Sequence, residues 1–225
     1  MEVICMHRFD HVNSFYQFTE VLENMKWRIE KQLLKDRVEL YRKNELFQQL
    51  RASFVSKKLT IWPLKEEEVI TWMDTLLIMR RMVNLLFKKG IHGEKFKILM
   101  EYPLVFGNHM RTDYLVVYDR LIIVIEFGMF NQDEKRSEER YTKKLQDSIT
   151  HRQVLANMIN PSVIVVNYVL VYRPEYDRIY KRIYEENIEY NNREIYMLSQ
   201  FITHHIKLQD EMLAMKQLEL IQNYT

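Results

Sequence analysis

Two carboxylates, Asp113 and Glu126, sit in short runs rich in Val, Ile, Leu and Tyr, residues 112–118 and 121–127, separated only by Asp119 and Arg120. If Asp119 and Arg120 form a two-residue turn, Tyr118 faces Leu121 and Asp113 faces Glu126 across an antiparallel hairpin. Side chains opposed in this way have Cβ atoms roughly 4.5–5.5 Å apart. Two carboxylates that close, among apolar neighbours, need either a proton on one of them or a cation between them. Oxygen ligands on adjacent strands suit Mg²⁺ or Mn²⁺. The competing reading is an ordinary hairpin with two rim carboxylates in water. Against it, Glu126 closes the apolar run of residues 121–125, where a bare carboxylate is costly to bury. The register is the sensitive point, because a slip of one residue sends one carboxylate to the other face.

The same register sets Arg111 opposite Gly128 and on the strand face of Asp113. Lys143 and Lys144 follow on the next helix. Glu68 and Asp74 lie on a preceding helix and Glu101 on the first strand. Other signals read as packing or solvation. His204 and His205 are adjacent, so a helix turns them about 100° apart. His109 reads as a solvated loop residue, and Trp62 and Trp72 as packing residues. Tyr176, Tyr180 and Tyr184 recur every four residues, the signature of one helix face against a sheet. The chain has no Walker A loop, no dinucleotide-binding glycine fingerprint, no zinc-type cysteine set and no G-x-S-x-G.

The elements that must position these residues read from composition and from the scarce punctuation of four Gly and four Pro. Residues 11–55 read as two long helices, and 59–63 as a break. A third helix, 65–89, carries Glu66, Glu67 and Glu68 in its first turn and Lys88 and Lys89 in its last, complementing the helix dipole. Strands follow at 95–106, 112–118 and 121–127, then a polar helix at 133–158. Next come a buried central strand at 162–172, a tyrosine-rich helix at 175–186, a strand at 194–198 and a C-terminal helix at 200–222. This is an α/β order with a helical N-terminal region. The division read here is 1–63 for the helical region and 64–225 for the α/β domain.

Arg111-Thr-Asp113-Tyr-Leu-Val-Val, a short turn and Ile-Val-Ile-Glu126-Phe-Gly128 resemble the core of the PD-(D/E)XK phosphodiesterases, a family of restriction-type nucleases and helicase-attached nuclease domains. Lys143-Lys-Leu-Gln146 and the following strand fit that family's downstream helix and strand. The resemblance covers residues 91–172 and departs at Gly128, where the family carries a lysine. It implies a restriction-endonuclease-like mixed sheet flanked by helices. It also implies metal-dependent hydrolysis of nucleic-acid phosphodiesters, with Asp113, Glu126 and the Phe127 carbonyl holding Mg²⁺ or Mn²⁺ and an additional acid, Glu68, Asp74 or Glu101, beside them. The missing lysine would be replaced by Arg111 or by Lys143 or Lys144, or else catalysis has been lost. The alternative function is an inactive pseudo-nuclease serving as a nucleic-acid-binding or protein-interaction module.

Charge adds a candidate backbone-binding face. Between residues 25 and 58 ten basic residues, Lys35, Arg42 and Lys43 among them, oppose four acids, a pattern that attracts phosphates or simply makes a solvated helix face. With Lys143 and Gln146, these are the expected nucleic-acid contacts, DNA favoured over RNA. Homodimerisation and association with a helicase are the other partner expectations, and a Leu/Met-rich face at Leu208, Met212, Met215 and Leu218 reads as packing either internally or on a partner. No run reaches the roughly 20 apolar residues of a membrane helix. The one cysteine, Cys5, fits a reducing, cytoplasmic setting.

Overall fold

Five strands form one mixed sheet in the order β1-β2-β3-β4-β5. They are β1 (His7–Phe9), β2 (Phe96–Pro103), β3 (Arg111–Tyr118), β4 (Leu121–Met129) and β5 (Ile164–Tyr172). Neighbours are antiparallel from β1 to β4, and β5 runs parallel to β4. The structure, a computed structural model, describes residues 4–30, 33–58, 63–104, 110–130, 134–174 and 181–222, with side chains left undescribed at 134, 136, 137, 181–184 and 210–222. His109, Trp62, Tyr176 and Tyr180 lie outside the described residues, as do the side chains of Tyr184, Met212, Met215 and Leu218.

Six α-helices surround the sheet among the described residues: α1 (Val12–Asn24), α2 (Leu34–Tyr41), α3 (Glu45–Lys57), α4 (Glu66–Lys88), α5 (Glu134–Met158) and α6 (Lys181–Gln222). The N-terminal stretch therefore holds three helices where two were expected, and it also supplies β1. Its breaks are local. Lys26 takes a left-handed φ of 53° after α1, and Asn44 starts α3 by accepting a hydrogen bond from the Phe47 amide.

Side-chain alternation divides the sheet into two faces. Ile123, Ile125 and Phe127 of β4 join Tyr114 and Val116 of β3 in the larger core, with α4 and α6. Val124 and Leu115 point the other way and pack with Leu155 of α5. By the same alternation Asp113 and Glu126 fall on the α5 face. Residues on both sides of position 63, Phe15, Leu50 and Met73 among them, enter one core.

Two expectations for the C-terminal half are corrected. Residues 194–198 are helical, within α6. Ile195, Leu198, Ile202 and Ile206 are buried there, and their three- and four-residue spacing is a helix period. The apolar run of β5 is an edge strand among the described residues rather than a central one. It is apolar on both sides because α5 and α6 both pack on it.

Candidate functional site

The β3–β4 hairpin pairs Tyr118 with Leu121 and keeps that register to Tyr114 and Ile125, as the two-residue turn requires. Asp119 supplies the turn's left-handed residue, with φ 48°, a conformation that aspartate tolerates better than most. The described pairing ends at Tyr114 and Ile125. Beyond it the Asp113 side chain takes over, and its Oδ2 accepts a hydrogen bond of 2.7 Å from the Phe127 amide.

The two carboxylates converge on a cation, and that cation is Lys144. Its Nζ donates to Asp113 Oδ2 at 3.0 Å and to Glu126 Oε2 at 2.9 Å. Lys144, Ser148, His151 and Leu155 recur every three or four residues along α5, so one helix face points them at the sheet. His151, nearly buried, places Nδ1 2.9 Å from Glu126 Oε1. Glu126 is 1% exposed, and each of its oxygens has a basic partner. Burial pushes the Glu126 carboxyl above its ordinary pKa and Asp113 adds to the rise, while His151 and Lys144 oppose it. For Lys144, burial works against the charge, but Asp113 and Glu126 outweigh it and hold the ammonium above its usual range.

A second carboxylate group adjoins the first. Glu101 has a left-handed φ of 53° between the Met100–Tyr114 and Tyr102–Thr112 pairs of β2 and β3, a strained conformation for a non-glycine residue. Its buried Oε1 accepts from Trp72 Nε1 at 2.8 Å, and its Oε2 pairs with Arg111 Nε. Burial pushes Glu101 up to about 8, with Arg111 opposing and Asp113, Glu68 and Glu126 reinforcing the rise. Arg111 also donates to Glu68 Oε2 at 2.8 Å and lies over the Phe54 ring.

Arg111 thus turns toward α4 and β2, and Lys144 is the cation that contacts Asp113 and Glu126. Gly128 itself is crowded by β5, since a Cβ there would stand 3.2 Å from Val171 Cγ2. A cavity of about 270 Å³ opens over the group, walled by Glu68, Glu101, Arg111, Asp113, Lys144 and Arg140. Arg140, absent from the sequence reading, donates to the Met129 carbonyl at 3.0 Å.

Asp74 is corrected out of the site. It is fully buried and forms a two-pronged ion pair with Arg37 at 2.7 and 2.8 Å. Lys35, Lys43, Lys143 and Gln146 are exposed and line no part of the cavity. Arg42 is also exposed and pairs with Glu66 at 2.8 Å. Leu34, next to Lys35, does reach the cavity wall. The sequence reading missed His151, although its seven-residue separation from Lys144 puts both on one helix face.

Among the described residues, no three His, Cys, Asp or Glu side chains are arranged to hold a metal ion; an ammonium stands between Asp113 and Glu126 instead. The donor set is nevertheless rich in hard oxygens. Four carboxyl groups, Glu68, Glu101, Asp113 and Glu126, gather around Arg111 and Lys144. Both hydrogen bonds described for Asp113 fall on Oδ2. Such a set of oxygen donors fits a divalent cation such as Mg²⁺ or Mn²⁺. Among the described residues no helix is long and apolar enough to cross a membrane. Comparisons with protein-family models, with curated proteins and with solved structures found no match to this chain.

Proposed function

We propose that the chain is a metal-dependent nuclease with a restriction-endonuclease-like core whose lysine is carried by α5 instead of β4. The observation that carries this reading is the Lys144 ammonium within 3.0 Å of both Asp113 and Glu126. A cationic donor beside two oxygen ligands is the combination that phosphodiester hydrolysis needs. Asp113, Glu126 and the Phe127 carbonyl would hold Mg²⁺ or Mn²⁺. When bound, such an ion lowers the pKa of a water and neutralises phosphate charge. Lys144 offers its ammonium to a phosphate oxygen as charge builds there. His151 fixes the rotamer of Glu126, and Glu68 and Glu101 hold Arg111 at the cavity wall.

The experiment is a cleavage assay on single- and double-stranded DNA and on RNA with Mn²⁺, repeated with EDTA and with Asp113→Ala. Loss of cleavage in both controls is expected, and cleavage surviving both overturns the proposal. A second reading has its own support. Lys144 already neutralises the buried Glu126, so the site is self-satisfied and suits a pseudo-nuclease that binds nucleic acid without cutting it. Metal-independent DNA binding with no cleavage would favour that reading.

A further inference from the structure

We propose that Lys144 is an internal counter-ion that must leave the carboxylate pair before a divalent ion enters, so that Lys144 sets the metal affinity of the site. This rests on the nuclease reading above. The argument begins with occupancy. Nζ lies 3.0 Å from Asp113 Oδ2 and 2.9 Å from Glu126 Oε2. Mg²⁺ or Mn²⁺ held by those two oxygens, at roughly 2.1 Å from each, would crowd the ammonium against a like charge. Coulomb repulsion at such separations is large in a partly buried site. One of the two cations has to move.

The surroundings decide which groups stay. The Phe127 amide ties Asp113 in place at 2.7 Å, and His151 ties Glu126 at 2.9 Å. Lys144 has four rotatable bonds, a side chain 28% exposed, and the cavity of about 270 Å³ beside it. The stem can swing its ammonium into that space while α5 stays packed on β4 and β5. The released charge then faces the position that a substrate phosphate would take. Metal and phosphate therefore bind cooperatively, because the phosphate rewards the displacement that the metal requires.

The test measures Mn²⁺ binding alone, by calorimetry, in wild type, Lys144→Met and Lys144→Gln. At least tenfold tighter binding is expected in both variants, with a larger Mn²⁺-induced rise in melting temperature than in wild type. Lys144→Arg keeps the charge and is expected to stay within threefold of wild type. Equal or weaker binding in Lys144→Met and Lys144→Gln overturns the counter-ion role and leaves the nuclease reading standing. Mn²⁺ binding by none of the proteins, wild type included, overturns both. If either uncharged variant folds only when Mn²⁺ is added, the ion is replacing the lost ammonium, as proposed.

Discussion

His151 Nδ1 lies 2.9 Å from Glu126 Oε1, on the side of the carboxylate opposite Lys144. The imidazole is nearly buried, and so is its acceptor. A carboxylate gripped at both oxygens cannot rotate, so His151 is a positioning residue for the group that the nuclease reading places at the metal. Outer partners of this kind are typically worth about 10–100-fold in metal affinity or activity. His151→Ala is expected to lower kcat/KM on DNA in Mn²⁺ by that order, and His151→Gln, which can still donate, to recover part of it. Mn²⁺ affinity and kcat/KM both unchanged in His151→Ala would remove the residue from the site's working parts.

The nuclease reading also predicts that the ammonium can be supplied from the strand. Gly128 lies two residues after Glu126 and on the same face of β4, so a lysine there aims at the carboxylates now served by Lys144. Lys144→Ala is expected to abolish cleavage, and Gly128→Lys in that background to restore a measurable fraction. The close approach of Val171 to a Cβ at position 128 means that adding Val171→Ala improves the rescue. Failure of the triple variant, with folding intact by circular dichroism, would show that the helix position itself is required.

Glu101 gives a pH signature. Its carboxyl is pushed from 4.5 up to about 8 in the folded chain. The folded state therefore favours the protonated form more than the unfolded state does. That contribution to stability is fully present below about pH 4.5 and is lost as pH rises through about 8. Glu101→Gln imitates the protonated form and keeps an acceptor for Trp72 Nε1. The melting temperature of the variant relative to wild type is thus expected to climb between pH 5 and 9, by roughly 2–4 °C per kcal/mol of ionisation cost. A constant difference across that range would show that Glu101 ionises normally.

The parts of this site that could be read from the chain are those governed by local periodicity. Tyr118, the Asp119-Arg120 turn and Leu121 specify the hairpin, and an apolar run with Glu126 at its end marks a carboxylate drawn indoors. What escaped was long-range. Register alone cannot say that the described pairing ends at Tyr114, because the replacement bond comes from a side chain, Asp113 to the Phe127 amide. Arg111 was diverted from Gly128 by acids on α4 and β2, 43 and 10 residues away in sequence. Lys144 was one of the candidate cations, with Arg111 and Lys143, while His151 was hidden in a helix too polar overall to mark its inward face. Residues 194–198 look like a strand taken alone, and only the spacing on to Ile202 and Ile206 makes them helical.

The same long-range effect explains Asp74, which reads as a candidate ligand and instead anchors the cavity wall. Its two oxygens take Arg37 Nη1 at 2.8 Å and Nη2 at 2.7 Å, and Oδ1 also accepts from Trp27 Nε1 at 2.9 Å. Arg37 and Asp74 are 1% and 0% exposed. Removing one partner of a buried pair leaves an uncompensated charge, at about 3–5 kcal/mol. Arg37→Met and Asp74→Leu are each expected to lose about that much stability in urea unfolding. The double variant should recover most of it, because a packed apolar pair can replace a buried ion pair. The pair also has a functional reach, since Arg37 pins α2 to α4 and Leu34 of α2 walls the cavity. At a temperature where Arg37→Met is still folded, its Mn²⁺ affinity is expected to hold, because neither residue touches Asp113 or Glu126. Its KM for DNA is expected to rise as the α2 wall loosens. A fall in Mn²⁺ affinity matching the rise in KM would show that the damage reaches the carboxylates, and the wall would then not be a separate part of the site.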